Sequence, residues 1–187
     1  MKNQRIKKLT VAGMLTAIGI LIPMFMPIRL VLEPMSFTLG SHIVIFMAMF
    51  ISPLMAAAVA VGTSVGFWLG GFPPVVVLRA ASHIVFALIG AWYLHNIAKE
   101  SLTFVKARIF SFLIAIIHGI SEVVVVSIFF FGGNVHPRSL EQGFFMGVLV
   151  LVGVGTMVHS MVDFELARLI VRPLKLQQNL ANLFRRG

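Results

Sequence analysis

The sequence contains no cysteine, and it has only six acidic residues against fifteen basic ones. Without cysteine, neither a disulfide framework nor a thiolate metal site is possible. The sequence also lacks a Walker A motif and a His-Glu-x-x-His zinc motif, which excludes ATP hydrolysis by this chain alone and zinc-dependent proteolysis of that type. Charged residues make up 11% of the 187 residues, whereas soluble domains carry about a quarter. These absences together argue against a soluble enzyme.

What the sequence does contain is long apolar runs, because 59% of its residues are hydrophobic. Runs such as 9–26 and 110–131 approach or exceed the roughly 20 residues needed to cross a hydrocarbon core of about 30 Å. The first run has no convincing signal-peptide cleavage site after it, so we interpret it as a helix. Proline, glycine and short polar clusters then divide the chain into six predicted helices, at 8–27, 39–52, 54–71, 74–96, 105–132 and 143–171. The sequence predicts an all-α integral membrane bundle of six transmembrane helices in a single domain, residues 1–187.

The basic residues are distributed unevenly along the predicted bundle. With the N-terminus inside, twelve of the fifteen lie on the cytoplasmic side, and only Arg29, Arg79 and Arg138 lie elsewhere. This positive-inside pattern predicts cytoplasmic N- and C-termini in a multi-pass protein of the cell membrane. Anionic lipid is then a sufficient partner for the excess charge, so we expect no nucleic-acid partner.

Ionisable residues within predicted spans are costly and commonly mark function. Helix four carries Arg79 with His83 one turn further on, and helix five carries His118 and Glu122 at the same spacing. Depth counting places Arg79 and Glu122 at similar depth in the outer half of the bundle. The pair is either part of a ligand site or a structural ion pair between the two helices, and both interpretations stay open.

Helix six carries a second group of ionisable residues. Depth counting places Asp163 and Glu165 near the cytoplasmic edge beside Arg168, where salt bridging or solvation is the ordinary state. His159 lies deeper, and we interpret it as a packing histidine.

The first outer loop, residues 29–38, is too apolar for a free loop, so we expect it to fold over the outer opening. Asn134, His136 and Arg138 of the last outer loop either form a facing rim or are solvated. A pocket with arginine, histidine, glutamate and aromatic residues suits a small, polar, planar ligand. The candidate substrate-binding residues are Arg79, His83, Glu122, His42, Glu33, Trp68 and His118. We expect no catalytic residue, no metal ligand and no cofactor.

Small residues recur at helical spacing in two of the predicted helices. Ala58, Gly62, Gly66 and Gly70 form a stripe on helix three, and Gly13 and Ala17 form a shorter one on helix one. Small stripes allow close approach of helices in lipid. Their contact is either inside the bundle or with a partner protein.

Several strings across nearly the whole chain resemble the substrate-binding S component of energy-coupling factor (ECF) vitamin transporters. They are AGMLTA at 12–17, SFTLGSH at 36–42, FMAMFISP at 46–53, GTSVGF at 62–67 and VLRAASH at 77–83. The resemblance is strongest to the niacin-type branch, with the pyridoxine and hydroxymethylpyrimidine branches next.

The resemblance implies a function and a set of partners. It implies capture of a small water-soluble vitamin from outside the cell, a T-component membrane partner, and two cytoplasmic ATPase subunits that supply the ATP hydrolysis. It also implies a gate in the first loop. The implied partner-docking residues are Gly13, Ala17, Ala56, Ala57 and Ala60.

The competing hypothesis is an enzyme. His118-x-x-x-Glu122 and His159-x-x-x-Asp163 resemble parts of intramembrane CAAX-type proteases. The paired-glutamate motif of that family is missing, and depth counting places the two pairs at different depths, where they would not converge on one water. A channel-like or purely structural protein is the third hypothesis, although no ring of pore-lining charge supports it.

Overall fold

The computed structural model describes residues 2–32, 35–98 and 102–171. The chain forms a helical bundle with one short β-hairpin. The helices are α1 (Lys2–Phe25), α2 (Ile43–Ile51), α3 (Pro53–Leu69), α4 (Pro74–Asn96), α5 (Phe104–Phe131), α6 (Pro137–Glu141), a π-helix (Phe144–Val154) and α7 (Gly155–Val171). The strands are β1 (Arg29–Leu32) and β2 (Met35–Thr38).

The helix boundaries lie where the sequence places its breakers. Ser52 caps α3 by accepting a hydrogen bond from the backbone N–H of Met55, and Pro53 occupies the first turn. Pro74 likewise begins α4, and Thr103 caps α5. The predicted joints between helices two and three and between three and four are therefore confirmed.

The helix predicted over 39–52 is shorter in the structure. The helix there, α2, begins only at Ile43 and has nine residues, which gives a length of about 14 Å. Among the described residues, four helices are long and apolar enough to cross a membrane, and Pro53–Leu69 is a shorter apolar helix. The predicted start of this helix is wrong because residues 39–42 form a turn that precedes α2.

The segment predicted to be the first outer loop forms a β-hairpin, and Phe37 and Thr38 of its second strand line the cavity described below. Strand β1 pairs with β2 in antiparallel register, with Arg29 opposite Thr38 and Leu32 opposite Met35. Pairing satisfies backbone N–H and C=O groups that would be costly to leave unpaired near lipid. The hairpin is the one departure from an all-α fold within the described part of the chain.

The last predicted helix is not a single α-helix. Residues Phe144–Val154 form a π-helix of 11 residues that continues directly into α7. Such segments are rare and frequently lie at functional sites. The residues of α7 consequently face a different direction from the one that regular α-helical counting predicts.

Helices α1 and α5 differ in how deeply they are embedded. Within their spanning windows, 44% of α5 is buried but only 11% of α1. The short α2 is almost wholly buried and contacts α1, α3, α4 and α7. Helix α1 therefore lies at the edge of the bundle and α2 at its centre.

The stripe of small residues on α3 is in part an internal contact. A Cβ atom at Gly62 would collide with the Thr16 side chain of α1, and one at Gly66 would collide with Ile20. Gly13 of α1, in contrast, has no atom within 4 Å of an added Cβ. The two stripes therefore have different surroundings.

Candidate binding site

A cavity of about 160 Å³ lies at the end of the bundle that carries the hairpin. For comparison, an engineered apolar cavity of roughly 150 Å³ holds one benzene ring. The cavity is lined by Gly19, Pro23, Phe37, Thr38, Ser41, His42, Ile45, Thr63, Phe67, Phe72, Val76, Arg79, Ala80, His83, Glu122, Thr156 and His159. These residues come from α1, β2, α2, α3, α4, α5 and α7 and from the turns that precede α2 and α4. The site is thus built at the convergence of nearly the whole bundle.

Arg79 of α4 and Glu122 of α5 form the ion pair that depth counting predicts. Arg79 Nη2 donates to Glu122 Oε2 at 2.7 Å, and Nε donates to the same oxygen at 3.1 Å. Arg79 is 8% exposed and Glu122 is 2% exposed. The hydrogen bonds use two of the guanidinium nitrogens, which leaves Nη1 available for another acceptor.

Glu122 is also the meeting point of three helices. The Thr156 hydroxyl of α7 donates to Oε2 at 2.8 Å. The other oxygen, Oε1, lies 3.2 Å from His83 Nε2 and 3.5 Å from His118 Nε2. One carboxylate therefore links α4, α5 and α7 at the wall of the cavity.

Asp163 is the largest correction to the sequence-based expectations. It does not lie at a solvated edge but is 0% exposed. Its carboxylate accepts hydrogen bonds from the backbone N–H of Gly40 at 2.8 Å and of His42 at 2.9 Å. It also lies 3.1 Å from His42 Nδ1. A carboxylate at a helix N-terminus is favourable, and here it holds the start of α2 inside the bundle.

His159 is likewise more than a packing residue, because it lines the cavity. Its ring stacks on Phe37 of β2 with centroids 4.9 Å apart, and its Nε2 lies 3.1 Å from the Ser41 hydroxyl. The interpretation of this histidine as packing alone is wrong. The His159–Asp163 spacing, which repeats that of His118–Glu122, is the sequence signal that identifies it.

Four of the predicted binding residues line the cavity, namely Arg79, His83, Glu122 and His42. His118 is fully buried and packs behind them against Phe86. Trp68 is 69% exposed and is not among the lining residues; the lining aromatics from this region are Phe67 and Phe72. Glu33 lies outside the described residues.

Residues outside the cavity follow the simpler interpretations. Asn134, His136 and Arg138 are exposed and do not line the cavity, in agreement with solvation. Glu165 forms the expected salt bridges, at 3.0 Å to Arg168 and 3.4 Å to Arg108.

The five residues predicted to dock a partner differ in accessibility. Gly13 and Ala17 of α1 are exposed, and Ala57 of α3 is half-buried. Ala56 and Ala60 are both 0% exposed, so their side chains face the bundle interior.

The depth argument against an enzyme is also corrected. The two His-carboxylate pairs do not lie at different depths, because His42 contacts both: its ring centroid is 4.7 Å from that of His118 and 5.0 Å from that of His159. The Glu122 carboxylate is nevertheless engaged by Arg79 and Thr156, which makes it a poor base.

Comparison with known proteins gives one clear relative. The chain is 42% identical over 166 residues to the niacin transporter NiaX of Lactococcus lactis subsp. cremoris (strain MG1363), and the match covers 89% of this chain and 73% of that protein. No protein-family model matches the chain. No solved structure matches it either. The relative is a transport protein and gives no support to the protease hypothesis.

Proposed function

Since the chain belongs to the family of niacin-type S components, we propose that it is the substrate-binding subunit of an ECF-type vitamin uptake transporter. It is a multi-pass transport protein of the cell membrane. Niacin is the favoured substrate, with pyridoxine or hydroxymethylpyrimidine next, and it is captured from outside the cell.

The observation that carries this proposal is a buried arginine on a cavity the size of one aromatic ring. Arg79 lines the cavity while Glu122 occupies only part of its guanidinium. A guanidinium binds a carboxylate through parallel N–H donors, and a desolvated site strengthens that contact. Nicotinate, an aromatic ring with one carboxylate, fits both features.

The remaining lining residues support the same ligand class. Phe37, Phe67 and Phe72 offer apolar faces to a ring, and His42 and His83 offer a donor or acceptor to a ring nitrogen. The pocket combines a mostly apolar wall with a few polar groups, as small-molecule sites commonly do.

The proposal includes the topology and the partners of the chain. The single domain, residues 1–187, spans the bilayer six times with cytoplasmic termini. A T-component membrane protein and two cytoplasmic ATPase subunits energise transport. Gly13 and Ala17 are the first candidates for the docking surface, because both are exposed on the peripheral α1.

The test of substrate identity is direct binding to the purified protein. Isothermal titration calorimetry in mild detergent should give tight binding of nicotinate and much weaker binding of nicotinamide, pyridoxine and hydroxymethylpyrimidine. Tightest binding of pyridoxine or hydroxymethylpyrimidine would move the substrate to another branch. Absence of binding by all four would contradict the vitamin-binding proposal.

The partners are tested separately. Affinity purification from the native membrane should retain one membrane partner and two ATPase subunits, and uptake of labelled nicotinate should require all of them. Uptake by the chain alone in a host without such subunits would contradict the ECF assignment but leave the substrate assignment intact.

A further inference from the structure

Four buried residues form a compact group of metal-ligand side chains, here called the His3Glu cluster: His42, His83 and Glu122, which line the cavity, and His118 behind them. One ligand atom from each lies within 4.8 Å of every other. The four side chains come from the start of α2, from α4 and from α5. All four are buried, with between 0% and 7% of their surface exposed.

Two distances within this cluster are close to those of a tetrahedral site. Zinc lies about 2.0–2.1 Å from imidazole nitrogen and carboxylate oxygen, so neighbouring ligand atoms of a tetrahedron are about 3.3 Å apart. Glu122 Oε1 lies 3.2 Å from His83 Nε2 and 3.5 Å from His118 Nε2. Two of the six distances between the four ligand atoms are therefore already close to the required spacing, and the others are within 4.8 Å.

His42 is held as a metal-ligating histidine usually is. Its Nδ1 lies 3.1 Å from the Asp163 carboxylate, which itself is fixed by two backbone N–H groups. A carboxylate on one ring nitrogen sets the tautomer and leaves the other nitrogen free to coordinate a metal. The free nitrogen of His42 is Nε2.

His118 supplies an independent indication of a missing ligand. It is 0% exposed, and within the part of the chain that the structure describes neither ring nitrogen makes a hydrogen bond, Nε2 lying 3.5 Å from Glu122 Oε1. Buried polar groups are ordinarily satisfied, and leaving one unpaired costs free energy. Coordination through Nε2 would satisfy this nitrogen and leave Nδ1 as it is.

The charges around the cluster point in the same direction. Arg79 and Glu122 neutralise each other, whereas Asp163 has only histidines and backbone N–H groups as described partners. With neutral histidines, Arg79, Glu122 and Asp163 sum to a charge of −1, which attracts a cation, and a divalent ion would bring the buried group to +1.

We propose that the His3Glu cluster binds one divalent transition-metal ion of the zinc class. Three imidazoles and one carboxylate suit Zn²⁺, Co²⁺ or Ni²⁺, while Mg²⁺ and Ca²⁺ require mostly oxygen ligands. With four protein ligands the ion is closed off and ties α2, α4 and α5 together beside the cavity. This site departs from the expectation of no metal. It shares His42, His83 and Glu122 with the lining of the cavity, so a bound ion would occupy histidine nitrogens that could otherwise contact a ring nitrogen of the vitamin.

The test uses the full-length protein in detergent, purified without a polyhistidine tag. The protein is first treated with chelator and dialysed, and no vitamin is present. Equilibrium dialysis should give one Co²⁺ or Zn²⁺ per chain and no Mg²⁺, and bound Co²⁺ should show the strong visible absorption of four-coordinate geometry. His118→Leu should weaken Co²⁺ binding more than about 100-fold, and Asp163→Asn should weaken it about 10–100-fold. The matched controls, His136→Ala and His95→Ala, change exposed histidines outside the cluster and should leave binding unchanged.

X-ray absorption of the Zn²⁺-loaded wild type gives a measurement that does not depend on any variant folding. It should count three imidazole ligands. A count of one or none, a wild type that binds no stoichiometric metal, or equal Co²⁺ binding by His118→Leu would each overturn the proposal. Nicotinate binding need not be measured in any of these experiments, so their failure is separate from failure of the transport proposal.

Discussion

The polar side chains that converge on Glu122 and Asp163 and the aromatic layer that adjoins them are both buried but are held together differently. The aromatic layer consists of Phe46, Phe86, Phe110 and Phe164, whose rings contact one another at 5.3–5.5 Å. The rings are held together by dispersion and close packing, so a gap between them would cost stability, but no charged partner is required. The polar group depends instead on directional hydrogen bonds that converge on Glu122 and Asp163. Burial alone therefore does not distinguish a site from a core; contact with the cavity does.

The largest effect is expected from Arg79→Ala, which should weaken nicotinate binding by about 2–5 kcal/mol because it removes one member of a buried charged pair. Calorimetry in detergent measures the change. Arg79→Lys should recover only part of the loss, since an ammonium group cannot form two parallel hydrogen bonds to a carboxylate.

The discriminating measurement is the ratio of acid to amide affinity. The wild type should prefer nicotinate strongly to nicotinamide, and Arg79→Ala should erase that preference. An unchanged ratio in the variant would reduce Arg79 to a structural ion pair with Glu122.

In the aromatic layer, Phe164→Ala should lower the free energy of unfolding by about 3 kcal/mol, because a cavity replaces a ring that is 1% exposed. Nicotinate affinity of the folded fraction should stay close to that of the wild type. Unfolding in detergent with increasing sodium dodecyl sulfate measures the first quantity. Phe145→Ala, at a residue that is 67% exposed, is the control and should change little. Loss of affinity without loss of stability in Phe164→Ala would contradict the division between the two regions.

A third prediction compares the two stripes of small residues. Gly13→Leu should leave ligand affinity and stability unchanged but abolish energised uptake, because an added Cβ there has no atom within 4 Å in the described part of the chain and a bulky side chain would obstruct a partner helix. Gly66→Leu should instead destabilise the purified protein, because its side chain would occupy the position of Ile20. Transport assays and thermal unfolding separate the two outcomes. If Gly13→Leu lost affinity as much as uptake, its stripe would belong to the ligand-binding bundle.

The smallest effect is expected from single cysteines that report topology, since the chain has no cysteine of its own. Cysteines at Asn3 and Ser101 should resist a membrane-impermeant thiol reagent in intact cells, while a cysteine at Asn134 should react. None should alter nicotinate affinity. Labelling at the first two positions would reverse the orientation and move the cavity to the cytoplasmic side.

The parts of the site that follow from the sequence lie on regular helices. Arg79 and Glu122 could be paired because α4 and α5 are uninterrupted, so that a rise of about 1.5 Å per residue gives their relative depth correctly. The helix boundaries at Ser52 and Pro74 also follow from the sequence, because the effect of these residues on the backbone is local.

The parts that do not follow depend on contacts between distant segments. Asp163 was placed at the wrong depth because the turn at 39–42 enters the bundle and brings Gly40 and His42 to it across more than a hundred residues. Trp68 was expected in the pocket because it is aromatic and near the outer end of α3, but its side chain faces outward. Helical spacing predicts how deep a residue lies along the helix axis, but it does not predict which residues of distant segments it contacts.

The π-helix has a consequence for how this chain tolerates changes in length. Removing one residue between 144 and 154 without a change of winding would turn everything after it by roughly a quarter of a turn. Thr156, His159 and Asp163 all follow this segment, so a single deletion would rotate all three away from the cavity together, although none of them had been altered. A substitution in the same stretch leaves their angular phase intact. The angular phase of these three residues is therefore sensitive to the length of the segment that precedes them.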